Sequence, residues 1–356
     1  MKSGHSPLQC TSRSDFVSRA LISGTGLIGT SIALGLRNLG WETLGWDSNP
    51  AALAGAVSAG AVAAVDRIDT ATLGPDDLLV LASPPSSVLA AVTDLNTAAL
   101  VIDVASVKGP IIAAARTPRF IGTHPMAGRE VTGPDAARAA LFRGAMWVVV
   151  PNGANEKDVE RVEQIVTDLG ARPVRMSAEA HDAAVARISH VPQILAAALL
   201  EGAEEVPGAM DLAAGSFRDL TRVASSDPAV WMDILTANRR EVTAAIEWIR
   251  ERLAVVLASE EQLAAALEDA RHLRSSLGHG LGVVRVTLED RPGEMAGVGR
   301  ALADSGVDLR DLQLRHAPYG GGGILTLSVR GGHESALRAS LEAEGFSAIV
   351  PSDEQG

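Results

Sequence analysis

The stretch ALISGTGLIGTSIALGLRNLG, residues 20–40, decides the fold class of this chain. An apolar run is followed by the pattern G-x-G-x-x-G and then by a segment with helical character. A strand, a glycine-rich turn and a helix in this order are typical of the first unit of a dinucleotide-binding domain. The glycine pattern alone is a weak signal because the chain contains 35 glycines, so its position between strand and helix carries the interpretation.

The three glycines of this loop have separate expected roles. Gly24 permits the tight turn, Gly26 lets the backbone approach a pyrophosphate, and Gly29 allows close packing of helix against strand. The loop opens the predicted helix TSIALGLRNLG, whose N-terminal N–H groups and dipole favour phosphate, and Leu27 and Ile28 of the loop are also expected to bind the cofactor. The alternative is a plain glycine turn without a cofactor.

Asp47 closes the next predicted strand at the distance expected for a cofactor-binding carboxylate. It is expected to bind the adenosine ribose hydroxyls. Ser48, Asn49 and Pro50 follow, so no Arg is in place to meet a 2′-phosphate. The sequence therefore favours NAD over NADP.

Apolar runs and helical stretches alternate over residues 17–176. The predicted strands are 20–24, 42–47, 77–83, 99–104, 119–123 and 146–151. Continuously apolar strands separated by segments of crossover length predict a doubly wound, Rossmann-type α/β domain with a parallel sheet. Residues 1–16 are expected to be a disordered tail.

The pattern becomes helical over residues 177–276, with one helix predicted over 179–205 and another starting at Asp227-Pro228. The apolar stripe along this all-α region predicts a dimerisation domain. Beyond a short Gly/Ser-rich linker, residues 282–351 have the order βαββαβ, a ferredoxin-like unit.

The bulk composition excludes several classes of protein. The net charge of −12 over 356 residues argues against nucleic-acid binding and against binding to an anionic membrane surface. One cysteine, Cys10, cannot form an internal disulfide or a cysteine-based metal site. We find neither a signal-peptide pattern nor an apolar segment long enough to span a membrane, so a soluble cytoplasmic protein is expected.

Candidate site residues follow the ends of further predicted strands. Ser83, Pro84 and Pro85 follow one strand, and His124 follows another in the stretch FIGTHPMAGRE, residues 120–130. Ligands of open α/β sheets bind beyond the carboxyl ends of the strands. His124 is therefore expected to face the nicotinamide end of the cofactor groove, as a catalytic rather than a structural histidine.

Ser106 and Lys108 lie after a third such strand. Ser106 is explained either as a functional residue or as a loop or helix-capping serine. Lys108 is interpreted as a solvated side chain that at most adds positive potential.

The helical region supplies candidates for a substrate pocket. Ser189 and Gln193 are four residues apart on one predicted helix, with His190 beside them. The stretch SFRDLTRVASSDP contains Arg218, Asp219 and Arg222. Arg222 is the one expected to anchor a substrate carboxylate, because a guanidinium binds both carboxylate oxygens. The alternatives are core hydrogen bonds on the helix and a surface ion pair from Arg222 to Asp219.

Taken together, these segments resemble the TyrA family of prephenate and arogenate dehydrogenases. The stretches that carry the resemblance are GTGLIGTS, DVASVKGP, FIGTHPMAGRE, ISHVPQ and FRDLTRVASSDPAVW. The resemblance implies oxidative decarboxylation in tyrosine biosynthesis, with NAD as cofactor and no metal. It makes His124 the catalytic base, Ser106 the serine that orients it, and Ser189, His190 and Arg222 substrate-binding residues.

The C-terminal unit, with DRPGEMAGV and GGILTLSV, resembles an ACT domain. This resemblance implies an effector site for tyrosine or another aromatic amino acid at Asp290, Gly293, Gly306 and Val307. Gly293 and Gly306 are equally explained as turn and helix-capping glycines.

Four functions remain in competition. They are a tyrosine-regulated prephenate dehydrogenase, an arogenate dehydrogenase, a catalytically silent NAD or amino-acid sensor, and a β-hydroxyacid dehydrogenase. The last needs a catalytic lysine in the helical region, and no lysine follows Lys157. Arg129 and Gln193 depart from the commonest family pattern, and no residue decides between prephenate and arogenate.

Overall fold

A computed structural model describes residues 18–128, 133–276, 281–316 and 322–350. The predicted N-terminal tail and Arg129 lie outside these described residues. The chain divides into two compact units, Met1–Leu199 with Val223–Glu247 and Leu200–Arg222 with Trp248–Gly356.

The first unit contains an eight-stranded sheet. Its strands are β1 (Arg19–Ser23), β2 (Glu42–Trp46), β3 (Ala63–Ala64), β4 (Leu78–Leu81), β5 (Leu100–Asp103), β6 (Phe120–Pro125), β7 (Met146–Val150) and β8 (Arg172–Arg175). The order across the sheet is β3-β2-β1-β4-β5-β6-β7-β8. The first six strands have the order of a Rossmann domain, in which the chain changes direction between β1 and β4.

Crossover helices cover both faces of this sheet. They are α1 (Leu27–Asn38), α2 (Pro50–Ser58), α3 (Pro85–Thr93), α4 (Gly109–Ala114) and α5 (Glu156–Asp168). Neighbouring residues of β1 bury their side chains in different cores, Ile22 in one and Leu21 in the other. Burial on both faces is the reason why these strands are continuously apolar.

Two details differ from the sequence-based expectation of a parallel sheet. β7 runs antiparallel to β6, because their connection contains, in its described residues, a short 3₁₀ turn at Pro134–Ala136 instead of a crossover helix. β3 and β8 were not predicted, since β3 has two residues and β8 has the polar sequence RPVR.

The helical region contains α6 (Ala178–Val185), α7 (Val191–Glu204), α8 (Gly215–Thr221), α9 (Pro228–Ala237), α10 (Arg239–Val256) and α11 (Glu260–Ser276). α6 and α7 form one continuous helix, as predicted, but a π-helical turn at Ala186–His190 joins them. The Val191 N–H donates to the Ala186 carbonyl, five residues back. Pro192 has no N–H to continue the α-helical pattern at this point.

Among the described residues, one helix, 178–204, is apolar and long enough to cross a membrane. Length and composition alone are a weak criterion, because a core helix of a water-soluble protein passes the same test. His181, Asp182 and His190 on this helix are buried.

A four-stranded antiparallel sheet with two helices forms the C-terminal part of the second unit. Its elements are β9 (Leu281–Leu288), α12 (Glu294–Ser305), β10 (Leu309–His316), β11 (Gly323–Arg330), α13 (Glu334–Ala343) and β12 (Ser347–Ile349). The strand order is β10-β11-β9-β12. This is the βαββαβ arrangement that the sequence predicts.

Candidate active site

The glycine loop, residues 24–29, connects β1 to α1. Gly24 has a φ of +99°, and a Cβ there would lie 2.5 Å from the Ala82 carbonyl oxygen. A Cβ at Gly29 would overlap the Gly24 carbonyl oxygen, whereas a Cβ at Gly26 would have no neighbour within 4 Å. Open space at Gly26, beside the N-terminus of α1, fits the approach of a dinucleotide pyrophosphate.

Asp47 follows β2 and is held by the glycine loop. Its Oδ2 accepts hydrogen bonds from the Thr25 N–H at 2.6 Å and from the Thr25 hydroxyl at 3.2 Å. Its Oδ1 accepts from the Asn49 N–H at 2.8 Å. A carboxylate oxygen accepts two hydrogen bonds, so Oδ1 retains acceptor capacity that fits a ribose hydroxyl.

The end of β4 lies directly against this loop. An added Cβ at Gly24 would lie 3.0 Å from the Ser83 backbone nitrogen. Pro84 caps α3 and Pro85 is its first residue. The predicted cofactor residues of β1 and β4 therefore meet at the point where the strand order reverses, and together they fit NAD.

His124 lies near the end of β6, half-buried. Its Nδ1 is 2.9 Å from Nε2 of His181, whose Nδ1 is 2.7 Å from the Asp182 carboxylate. We call these three residues the histidine relay. His181 and Asp182 are on α6, and the sequence analysis did not identify either of them.

The Asp182 carboxylate is fixed at the N-terminus of α4. It accepts from the backbone N–H groups of Lys108 at 2.8 Å and Gly109 at 2.7 Å. Burial raises the pKa of Asp182, but hydrogen bonds from His181 and from these two N–H groups outweigh it and hold the pKa below its ordinary value. Asp182 is therefore a carboxylate that accepts hydrogen bonds at neutral pH.

This carboxylate sets the tautomers along the relay. Asp182 accepts the Nδ1–H of His181, and in this tautomer the His181 lone pair is on Nε2, where it accepts the Nδ1–H of His124. The lone pair of His124 is then on Nε2, where it can accept a proton. Burial lowers the pKa of His124 well below its ordinary value, and the nearby charge of Lys108 adds to this effect. His124 is therefore neutral at pH 7, as a general base must be.

Lys108 is fully buried, and the prediction of a solvated side chain is wrong. Its ammonium is paired with the Asp103 carboxylate and donates to the Thr123 carbonyl at 2.7 Å. Asp103 in turn accepts from the Thr123 N–H at 3.1 Å. Burial lowers the pKa of Lys108 and raises that of Asp103, because both charges lose hydration. The pair joins β5 to β6 immediately before His124.

Ser106 lies half-buried in the loop between β5 and α4. Within the described part of the chain, no hydrogen bond joins it to His124. Its predicted role in orienting the histidine stays a prediction, whereas His181 contacts His124 directly.

His190 is buried beside the relay. Asn238, which caps α9, places its Nδ2 3.1 Å from His190 Nδ1 and 2.9 Å from the Asp182 carbonyl. The Trp231 ring packs edge-on against His190 with centroids 6.1 Å apart. Burial lowers the pKa of His190 to about 4, so this ring is neutral at pH 7.

The other predicted substrate residues occupy different surroundings. Ser189 is half-buried in the π-helical turn. The Gln193 Oε1 atom is buried and has no hydrogen-bond partner among the described residues. Arg222 follows α8 in the second unit, and its contribution to the site stays a prediction.

The second unit has its own cavity, of about 430 Å³. Asp290 and Gly293 line it together with Leu314, but Gly306 and Val307 do not belong to its lining. Gly306 caps α12 with a φ of +61°, and Val307 is buried in the core of the sheet. No group of three or more His, Cys, Asp or Glu side chains suited to a metal occurs in the described parts of either unit.

Comparison with known proteins identifies the family. Residues 32–175 match the nucleotide-binding domain of prephenate dehydrogenase, and residues 177–268 match the prephenate dehydrogenase dimerization domain. The prephenate dehydrogenase of Bacillus subtilis (strain 168) is 30% identical over 362 aligned residues, which cover 92% of this chain and 97% of that protein.

Solved structures agree with this match. The Aquifex aeolicus prephenate dehydrogenase in complex with hydroxyphenyl propionate and NAD⁺ has a TM-score of 0.67 and 29% identity, covering 74% of this chain and 100% of that chain. The Synechocystis arogenate dehydrogenase has a TM-score of 0.62 and 28% identity, covering 73% of this chain and 99% of that chain. The chain belongs to the prephenate dehydrogenase family.

Proposed function

We propose that this protein catalyses the NAD-dependent oxidative decarboxylation of prephenate to 4-hydroxyphenylpyruvate in tyrosine biosynthesis. The observation that carries the proposal is the histidine relay, which leaves a lone pair on Nε2 of a neutral, partly buried His124. It lies at the carboxyl end of the same sheet that presents the glycine loop. A base and a dinucleotide site on one rim are what this reaction requires.

The residues of this chain have defined roles in the reaction. NAD bound at the glycine loop would supply an acceptor for the hydride of ring C4. His124 Nε2 removes the proton from the C4 hydroxyl, so that a C4 carbonyl forms as the hydride departs. His181 and Asp182 stabilise the resulting imidazolium through the two hydrogen bonds of the relay.

Loss of the ring carboxylate then completes the reaction. The C1–carboxylate bond breaks, carbon dioxide leaves, and its electron pair makes the ring aromatic and converts the C4 carbonyl to a phenolate. His124 returns the proton to this oxygen, so atoms and charges balance. Aromatisation supplies much of the driving force, and a positioned base contributes about 10²–10⁴-fold.

The substrate is a dianion in a protein with a net charge of −12. We assign one substrate carboxylate to Arg222, because guanidinium binds carboxylate in a bidentate manner. Ser189, His190 and Gln193 are assigned to the pocket; the unpartnered Oε1 of Gln193 supports this role.

Arogenate is the second candidate substrate, because a similar structure is that of an arogenate dehydrogenase. Arogenate has an ammonium where prephenate has a ketone, and the Gln193 amide offers both a donor and an acceptor. Absorbance of NADH distinguishes them when each substrate is supplied with NAD or with NADP. We expect turnover with prephenate and NAD. Turnover with arogenate alone would change the substrate, and no turnover with either would favour the sensor hypothesis.

We assign the assembly to a homodimer in the cytoplasm. Residues 177–268 match a dimerization domain, and Leu253 on α10, Leu257 just after it and Leu267 on α11 are exposed. An exposed apolar row of this kind is typical of a protein interface. Light scattering of the purified protein should give twice the mass of 36.8 kDa, and a monomer would contradict the assignment.

The three-domain division, 17–176, 177–276 and 282–351, is part of the same proposal, with the last segment as an ACT domain. The cavity bordered by Asp290 and Gly293 is its effector site, for tyrosine or another aromatic amino acid. Calorimetry with Tyr, Phe and Trp tests this assignment. Absence of heat with all three amino acids would count against it.

A further inference from the structure

Asp233, on α9, bonds to a residue 147 positions earlier in the chain. Its Oδ2 accepts from the Ser86 N–H at 3.0 Å and from the Ser86 hydroxyl at 3.1 Å. Ser86 is the second residue of α3, which starts at Pro85. Asp233 therefore supplies the N-terminal capping interaction of α3 from a distant helix.

This cap is needed because α3 has no capping side chain of its own. Its cap position is Pro84, which has no side-chain acceptor for the free N–H groups of the first turn. The segment Ser83–Pro85 borders the glycine loop, and a nicotinamide dinucleotide binds where these two loops meet. The position of this border depends on what holds the start of α3.

The contact between α3 and α9 combines side-chain packing with the hydrogen bonds from Ser86 to Asp233. A cavity of about 140 Å³ separates parts of these helices and α4, with Leu89, Ile111 and Thr236 in its wall. Ser86 and Asp233 also line this cavity, and their hydrogen bonds join the two helices beside it. A carboxylate at a helix N-terminus is also favoured by the helix dipole.

The same helix contacts the catalytic side of the site. Trp231, two residues before Asp233, packs against His190. Asn238, at the end of α9, donates to His190 and to the Asp182 carbonyl. α9 thus connects the start of α3 to residues beside the relay.

We propose that Asp233 is a positioning residue for NAD. Through its hydrogen bonds to Ser86, it fixes the position of Ser83–Pro85, at the border of the cofactor groove, relative to the residues that surround His190. It touches neither the reacting atoms nor the glycine loop. Its expected signature is a loss of NAD affinity with little change in the chemical step.

The test measures NAD binding by calorimetry in the absence of substrate, on the full-length wild type and on four variants. Asp233→Ala should raise the dissociation constant of NAD about tenfold, the size expected for loss of a hydrogen bond to a charged group. Asp233→Asn keeps an acceptor oxygen and should raise it less than about threefold. Ser86→Ala removes one of the two donors and should have an effect between these values.

Asp227→Ala is the matched control, because Asp227 caps the same α9 through the Ala229 N–H at 2.9 Å, and no hydrogen bond joins it to α3 among the described residues. It should lower the melting temperature without changing NAD affinity. With prephenate, Asp233→Ala should raise the KM for NAD while kcat stays within about twofold of wild type, because the base at His124 is intact.

The inference rests on the proposed function only for this turnover measurement. If wild type binds NAD but oxidises no substrate, the proposed function fails and the binding comparison still stands. Unchanged NAD affinity in folded Asp233→Ala, or an equal loss in Asp227→Ala, would overturn the inference. If Asp233→Ala does not fold, unchanged affinity in both Asp233→Asn and Ser86→Ala would overturn it, and graded losses would support it.

Discussion

The glycine loop, residues 24–29, and the histidine relay at His124 are two parts of one site built by opposite means. The loop consists of contiguous backbone, and two of its glycines lack room for a Cβ. The relay consists of side chains from β6 and α6, joined across 57 residues of sequence. The loop therefore tolerates little added volume, whereas the relay tolerates little loss of hydrogen bonding.

This difference separates two functions that a dehydrogenase must combine. Backbone N–H groups at a helix N-terminus bind phosphate regardless of nearby side-chain chemistry. Proton transfer depends on one imidazole with a defined tautomer and a low pKa. Mutations in the loop should therefore change cofactor affinity, and mutations in the relay should change turnover.

The largest expected effect is that of His124→Asn. Asn cannot accept the hydroxyl proton, so kcat should fall about 10²–10⁴-fold, the contribution of a positioned general base. The dissociation constant of NAD, measured by calorimetry, should stay within about twofold of wild type. A large loss of NAD affinity would contradict the expectation that relay mutations change turnover alone, since it would make His124 part of the cofactor loop.

Lys108→Met tests the support behind the relay. It leaves the Asp103 carboxylate buried without its charged partner, so the free energy of unfolding should fall by about 3–5 kcal/mol. Urea denaturation measures this loss. The double variant Lys108→Met with Asp103→Asn should lose less, because no uncompensated charge remains. A loss below about 1 kcal/mol in the single variant would contradict the buried pair.

Two of the three glycines of the loop, Gly29 and Gly26, should respond differently to substitution by alanine. Gly29→Ala would overlap the Gly24 carbonyl and should cost about 1–3 kcal/mol of stability. Gly26→Ala has open space in the protein, so its stability should stay within about 0.5 kcal/mol. Its affinity for NAD should nevertheless fall about tenfold, near 1.4 kcal/mol. Calorimetry and urea denaturation together check this pair, and normal NAD affinity in Gly26→Ala would contradict the cofactor assignment.

The smallest expected effect is that of His181→Gln. The Gln amide still accepts from His124 but cannot pass charge toward Asp182, so kcat should fall about tenfold, less than the full contribution of the base. Burial is the main cause of the lowered pKa of His124 and is unchanged in this variant, so the acid limb of the pH profile should stay well below pH 6.5. The control His272→Gln changes an exposed histidine on α11 and should have no effect on either measurement.

Much of the fold was predictable because its decisive features are local. The central strands β1, β4 and β5 are mostly apolar, so the order of strands and helices follows from the sequence. The antiparallel direction of β7 was not predictable, since it depends on how the chain between Pro125 and Met146 returns to the sheet. β8 was missed because an edge strand reading RPVR has little apolar character.

The site divides in the same way. The glycine loop is a contiguous pattern, and His124 was found because strand ends share one rim. His181 and Asp182 were missed because only the docking of α6 against β6 brings them to His124. An adjacent His-Asp pair on an Ala-rich helix, nine residues before His190, was the available signal. The Asp103 partner of Lys108, five residues before it, was the signal for the buried pair.

Burial keeps His124 neutral, and the relay leaves its Nε2 free to accept a proton; the pH dependence of kcat/KM for prephenate tests both statements. This quantity reports the pKa values of the free enzyme. Because the folded pKa of His124 lies below the ordinary value of about 6.5, the protonated, inactive form accumulates only at lower pH. We expect kcat/KM, measured by NADH formation, to have an acid limb well below pH 6.5. An acid limb at or above that pH, or no turnover of prephenate, would contradict it.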